Sequence, residues 1–338
     1  MPGYMSPDKM WGSAKSETTP GVDAFAGAAP AAWGSFRALN IEPQYATVRG
    51  PRMTATNAAE QGSRVRTHST ATCEVPLFPK TAEDEGPNPI LTSLLLASLF
   101  KRTVNAGVDV RFTDVTANNS TISPSATLAM YLRTLTSEEV KKVLARGCVF
   151  KVTLTLELGA EPYFSFEGEG CFDAIPDGFA AIPALPTAYS GDTMPMSVEG
   201  LGVIVNEGES DETAYPCKRV VLASQLTFVP INTGDTEGDG TRTRTLLAHQ
   251  GEGPAYTLEI DLEDAGPALA HMLPAARAGD ILSFNSVVTN GTDEFELQVE
   301  ALQFNRPSLG SLPTITIPAD VIRKPGSTGE ATIAMIWR

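Results

Sequence analysis

The stretch GCVFKVTLTLELGAEPYFSFEGEGC, residues 147–171, reads as two strands joined at a glycine turn. Cys148, Phe150, Val152, Leu154, Leu156 and Leu158 alternate with Val149, Lys151, Thr153, Thr155 and Glu157, the period of a half-buried strand. Phe164 and Phe166 mark the second strand, and Glu167 and Glu169 follow them. A one-residue slip between antiparallel strands turns every side chain to the other face, so the apolar pattern selects the register. A two-residue loop (Gly159-Ala160) would set Glu167 against Val152 and Glu169 against Phe150. A three-residue loop (Gly159-Ala160-Glu161) puts Leu156 opposite Phe164, Leu154 opposite Phe166, Phe150 opposite Gly170 and Lys151 opposite Glu169. The second register is the one expected. It sends Cys148 and Cys171 to opposite faces and excludes a disulfide between them.

Working outward, Leu39–Arg49 and Ser63–Phe78 read as strands around a loop at Gly50–Gly62. Ile90, Leu91, Leu94, Leu95, Ala97, Ser98 and Leu99 fall at helical spacing, with Pro89 suited to a first turn and Asn88 to its cap. Val108–Val115 and Ala126–Arg133 supply further strands before the hairpin. Residues 1–37 are rich in Ala, Gly, Pro and Ser with little periodicity, which reads as an arm ordered, if at all, by neighbours.

Beyond the prolines at 183 and 186 the order of elements recurs. Lys218–Ile231 is a strand, Asn232–Thr241 a loop, and Arg242–Leu262 a second strand region. Gly266-Pro267 opens a short helix through Ala276. A hairpin follows, Ile281–Thr289 with Glu294–Phe304, turning at Asn290-Gly291. Ile315–Ile317 and Ala331–Trp337 add strands. The expected fold is therefore mainly β: two tandem β-sandwich or barrel domains, each with one short flanking helix. Their expected extents are 38–190 (with 101–146 inserted) and 191–338, after the arm 1–37.

The chain has 338 residues, 29 glycines, 25 prolines and a net charge of −15. Such a surface repels phosphate rather than gripping it, since affinity for nucleic acid rests on Lys and Arg. The N-terminus lacks an apolar segment behind basic residues, and the apolar run Ile90–Phe100 is shorter than the ~20 residues of a membrane-spanning helix. A soluble, cytoplasmically made protein without a membrane partner is expected. The four cysteines form no CxxC pair, so free thiols are expected. His68, His249 and His271 are isolated in sequence, and no HExxH, GxSxG, P-loop or dinucleotide fingerprint occurs. Neither catalytic residues, a metal nor a cofactor is expected. Glu167 and Glu169 form a carboxylate pair, but acids at i, i+2 on a solvated strand face are ordinary surface.

Several segments together resemble the siphophage major tail tube protein family, including gene-transfer-agent-like tube proteins. KSETTPGVDAF (15–25) resembles its "E-T-x-x-G-x-D-A" entry segment. NPILTSLLLASLFKRTV (88–104) resembles its "P-x-x-x-x-L-L-x-A-x-G-x" helix, and SATLAMYLR (125–133) its "S-A-T-I-x-x-Y" strand. KKVLARGCVFKVTLTLELGAEPYFSFEGEGCFDAIPD (141–177) is similar to its "G-A-R-G-x-V-x-F-x-L-x-x-G-x-P-x-x-x-F-x-F-x-G". Cys148 and Phe172 stand where smaller residues are common in that family. The later AGDILSF and FELQVEALQFNRP fit its C-terminal hairpin less distinctively.

The resemblance implies a virion structural protein assembled in the bacterial host cytoplasm. Its rings would be pseudo-sixfold and stacked into a tube, with an acidic lumen through which double-stranded DNA passes, unbound, during ejection. With two such units per chain a trimer completes a ring, and this is favoured over a hexamer. The implied partners are other copies of the chain, a tape measure protein, and tail terminator and tip proteins. Other readings are a tail-tip or baseplate ring of the same fold, or a carbohydrate-binding, adhesin-like β-sandwich. The polar strand faces are the expected lumen: Lys151, Thr153, Thr155, Glu157, Glu167 and Glu169, with Glu294, Glu296, Gln298 and Glu300 from the second hairpin. Arg49, Arg52 and Arg64 near one loop, and Asp235, Glu237 and Asp239 in the other, are expected to meet between rings.

Overall fold

The computed structural model describes residues 5–25, 36–48, 63–80, 87–115, 124–134, 139–171, 177–181, 195–206, 213–231, 244–248, 253–263, 265–290, 293–305, 308–309, 315–322 and 332–338. The first half runs β1 (Met5–Ser16), β2 (Ala38–Val48), β3 (Ser63–Pro76), α1 (Pro89–Leu96), β4 (Phe100–Asn105), β5 (Asp109–Asp114), β6 (Ala126–Thr134), β7 (Glu139–Glu157), β8 (Tyr163–Cys171) and β9 (Asp177–Ala181). The second half runs β10 (Gly202–Val205), β11 (Thr213–Ser224), β12 (Thr227–Ile231), β13 (Arg244–Ala248), β14 (Tyr256–Leu262), α2 (Ala265–Ala278), β15 (Leu282–Asn290), β16 (Asp293–Phe304), β17 (Ser308–Leu309), β18 (Ile315–Val321) and β19 (Ile333–Trp337). The chain is mainly β, as its alternating pattern requires.

Six strands close a barrel in the order β10-β11-β14-β18-β16-β15 and back to β10, every pair antiparallel. A second layer, β2-β3-β8-β7, joins the barrel where β7 pairs with β11. From the far side of β16 the sheet continues through β19 to β5 and β4. β7 is long enough to serve two sheets. Its first part pairs with β6 and β9, and its second with β8 and β11.

The recurring order of strand, strand, helix and hairpin is present in both halves, but the pairings differ. β3 lies directly against β8, whereas β14 reaches β16 only through β18. Pairings also cross the division at 190/191, between β7 and β11 and between β5 and β19. One apolar core serves both halves. At its centre Trp337 packs edge-on to Phe295 (4.8 Å between centroids) and Phe112 (5.4 Å) and stacks on Phe164 (6.4 Å).

α1 forms where the apolar spacing places it. The Asn88 side chain accepts the Ile90 N–H at 2.8 Å, Pro89 occupies the first turn, and Ile90, Leu91, Leu94 and Leu95 are buried. Ser93 and Ser98 donate back to the carbonyls of Pro89 and Leu94, so their hydroxyls are not buried unsatisfied.

The central hairpin departs from the expected register by two residues. Lys151 lies opposite Glu167, Val152 opposite Phe166, Leu154 opposite Phe164 and Phe150 opposite Gly168. The hairpin ladder ends at Thr155 opposite Tyr163, while the other edge of β7 stays paired with β11 as far as Glu157. Gly159 N–H donates to Val198 O and Leu77 N–H to Pro162 O, each at 2.8 Å. In the second hairpin Asn290 pairs with Asp293, so Asn290, expected in the turn with Gly291, belongs to the strand ladder.

The N-terminal segment is also more structured than its composition suggested. β1 is a long edge strand on β6. Its small residues permit close packing: a Cβ at Gly12 would sit 2.5 Å from the side chains of both Phe36 and Leu39, and Ser13 and Ala14 are buried.

Candidate functional site

The polar face of the first hairpin is continuous with that of its neighbours. Directly opposed residues share a face, so Lys151, Thr153, Thr155 and Glu157 of β7 align with Glu167 and Ser165 of β8. Glu169 lies on the same face of β8. On one side the face extends through Thr70, Thr72 and Glu74 of β3 to Asn40 and Glu42 of β2. On the other it extends through Arg219 of β11 and Glu259 and Asp261 of β14 to Asp320 of β18.

Glu42, Glu157, Glu167 and Glu259 are exposed, and Glu74, Glu169, Asp261 and Asp320 half-buried. Against these carboxylates the described part of the face offers Lys151, Arg219 and exposed Arg37, whose guanidinium lies 4.2 Å from the centre of the Tyr163 ring. Arg219 bonds Glu259 at 3.2 Å and lies 3.6 Å from Asp261. Lys151 Nζ sits 4.8 Å from the Phe228 ring centre, where β12 lies over this part of the face. Thr155 is buried, so it does not contribute open polar surface.

The second hairpin behaves differently. Glu294 and Gln298 are half-buried and Glu300 is exposed, but Glu296 is buried. The expectation of a solvated face at Glu296 is therefore corrected: its carboxylate is taken up inside a network. Oε1 accepts from Asn285 Nδ2 at 2.7 Å and Gln298 Nε2 at 2.5 Å, and Oε2 pairs with Arg338. Arg338 also holds Glu294 at 2.5 Å. β19 causes this arrangement by pairing with β16 and carrying β5 alongside. There Arg111 binds Asp109 at 2.8 Å, and this hydrogen bond holds the Asp109 carboxyl below the usual carboxylate range despite burial.

Of the residues expected between rings, Arg49, Arg52, Asp235, Glu237 and Asp239 lie outside the described residues. Arg64 is on β3 opposite Thr47. His68 is half-buried on β3, His271 is on α2, and His249 lies outside the described residues. Among the described residues no group of His, Cys, Asp and Glu is arranged to hold a metal. No described helix is long and apolar enough to cross a membrane. All four cysteines are free thiols. Burial pushes Cys217 up to about 12 and raises Cys73 and Cys148 as well.

One constellation was not foreseen from the sequence. The Glu17 carboxylate accepts four hydrogen bonds: from Gly21 N–H (2.7 Å), Ser125 Oγ (2.6 Å), Thr127 Oγ1 (2.7 Å) and Gly147 N–H (2.8 Å). Both glycines have positive φ, 81° and 61°, which presents their N–H groups inward at little steric cost. Asp23 accepts the Phe25 N–H at 2.8 Å, and Ala24 N–H donates to Thr127 Oγ1 at 3.1 Å. These residues come from the three segments 15–25, 125–133 and 141–177. The available signal was an acid followed four residues later by glycine, with Ser-x-Thr and Arg-Gly elsewhere, and nothing local says that they meet. No family model matches the chain, and no curated protein matches it in sequence.

Proposed function

We propose that the chain is the structural subunit of a siphophage-type tail tube, assembling into stacked rings with an acidic lumen through which DNA passes during ejection. The observation that carries this reading is the continuous carboxylate-rich face spanning β2, β3, β8, β7, β11, β14 and β18. A conduit for DNA benefits from walls that repel phosphate. At physiological salt that repulsion reaches about 8 Å, so it acts on a strand passing close to the wall. The lumen face is then Lys151, Thr153, Glu157, Glu167 and Glu169 with their neighbours on adjacent strands.

Rings form by heterologous contacts that close, and tubes by contacts that propagate. Three copies complete a ring if each chain counts as two tube-like units, and six if its halves act as one unit around their shared core. The tape measure protein and the terminator and tip proteins are the proposed partners within and at the ends of the tube. Negative-stain electron microscopy of the purified protein, with rotational averaging, tests the reading. Long tubes with threefold or sixfold rings support it, isolated rings indicate a tip component, and a dispersed monomer at high concentration refutes it. Within assembled particles, Glu167→Lys with Glu169→Lys should slow DNA release while leaving tubes intact. Unchanged ejection kinetics would remove the lumen assignment.

A further inference from the structure

We infer that Glu17 is the positioning residue that latches β1 and β6 onto the point where β7 passes from one sheet to the other. The Glu17 contacts lie within one chain and are the same whether or not the chain builds tubes. β7 changes partners at residues 146–148. Its pairing with β6 ends at Cys148, beyond a register shift, and its pairing with β8 starts at Arg146 with a second shift before Val149. Gly147 therefore sits at a kink with irregular ladders on both sides. Its N–H points to Glu17 Oε1 instead of to a strand neighbour.

The same carboxylate takes the hydroxyls of Ser125 and Thr127, which flank the first residue of β6, and the N–H of Gly21, which closes the turn after β1. Glu17 N–H in turn donates to Ser125 O at 2.8 Å, continuing the β1–β6 ladder by one bond. An ionised carboxylate accepts about four hydrogen bonds and donates none. The four donors saturate it, and Ser125 and Thr127 are buried.

The kink is tight for a second reason. A Cβ on Gly147 would lie 3.4 Å from the Gly21 backbone and 2.8 Å from Cys171 Sγ. The turn at Gly21 and the kink at Gly147 thus fit against each other with the carboxylate between them. Loss of the carboxylate leaves donors from three separate segments without their common acceptor. Those segments then open together as one unit, β1 with β6 and the first half of β7, while the barrel remains closed.

Hydrogen–deuterium exchange on the full chain tests this, comparing wild type with Glu17→Ala, Glu17→Gln, Ser125→Ala and Thr127→Val. Glu17→Ala should speed exchange by about tenfold or more in peptides covering 12–25 and 126–148, a loss on the scale of one charge-assisted hydrogen bond. Peptides from β11 and β14 should not change. Glu17→Gln turns an amide N–H₂ toward donors and should fall between Glu17→Ala and wild type. Ser125→Ala and Thr127→Val should each give a smaller increase confined to the same two regions. Uniform acceleration over the whole chain, or unchanged exchange at 126–148, would overturn the inference. If Glu17→Ala does not fold, Ser125→Ala and Thr127→Val decide: no change around Gly147 in either overturns it.

Discussion

Replacing Trp337 by alanine should destabilise the entire chain in one step, although the residue lies in the last strand. Trp337 is 1% exposed and sits between Phe112 and Phe164 of the first half and Phe295 of the second. Truncating a buried aromatic to alanine costs about 3–5 kcal/mol when the cavity cannot collapse. Here the surrounding rings are held on three different strands, so the upper part of that range applies. The indole N–H also donates to Phe78 O at 3.2 Å, and an unsatisfied buried carbonyl costs roughly 1–3 kcal/mol. Trp337→Phe narrows the comparison, because it keeps most of the ring contact while losing the donor and a smaller part of the buried volume. It should cost about 1–3 kcal/mol on the same basis. Urea denaturation followed by far-UV circular dichroism provides the measurement. The expected result is a single transition moved to lower urea for both variants, more for alanine. A loss below about 2 kcal/mol for Trp337→Ala would refute the packing argument. Two transitions with only one displaced would refute the claim that the halves share one core.

Gly170→Ala should destabilise strongly, since the new Cβ would lie 2.5 Å from Cys148 Sγ and 2.6 Å from the Arg146 carbonyl, which is backbone and cannot rotate away. A thermal midpoint equal to wild type would contradict this. Under native conditions at pH 8, a thiol reagent should modify half-exposed Cys171 and leave Cys73, Cys148 and Cys217 unreacted until the chain is unfolded, because burial raises all three thiols. Rapid modification of more than one thiol would show the core to be open. Burial raises the Asp114 carboxyl above its ordinary value, outweighing the N–H groups of Thr332 and Ile333 that its Oδ1 accepts at 2.7 and 2.8 Å. Its stabilising contribution is therefore full below the usual aspartate range and is lost as pH rises through the elevated folded value. Asp114→Asn keeps an Oδ1 acceptor and cannot ionise, so its stability relative to wild type should improve between pH 4 and pH 7. A relative stability that stays constant or worsens over that range would reverse the assignment.

Face assignment in the central hairpin was legible from sequence, but the register was not. A slip of two residues keeps Phe164 and Phe166 on the apolar face, so periodicity alone cannot separate Lys151–Glu169 from Lys151–Glu167 pairing. Non-local contacts make the choice. The Phe150 ring needs the space over Gly168, where any Cβ would collide with it, and Val198 and Leu77 hold the backbone of the connecting loop at Gly159 and Pro162. α1 was legible because its signals are local: a cap, a proline and an apolar stripe within a dozen residues. β1 was not, because an Ala/Gly/Ser-rich segment reads the same whether it is unstructured or packed closely against large side chains such as Phe36 and Leu39. A barrel was among the expected architectures, but its strand order was not legible. Its closure depends on β18 entering between β14 and β16, a pairing that no sequence period encodes.

The charge of −15 has a different meaning once its carboxylates are placed. Glu17, Asp109 and Glu296 are each held by donors from the chain itself. Their negative charge is consumed in holding strands together. Glu42, Glu157, Glu167 and Glu259 instead stand exposed on one sheet face. Reversing a carboxylate of the first kind removes an acceptor and leaves buried donors unsatisfied, so Glu296→Lys should weaken folding itself. Reversing one of the second kind changes the potential of a surface and little else. The two acidic hairpins, alike in sequence, therefore make different physical claims. In the second hairpin Glu296 is withdrawn from any such wall, and the proposed conduit rests on Glu157, Glu167 and their neighbours across the sheet rather than on Glu296.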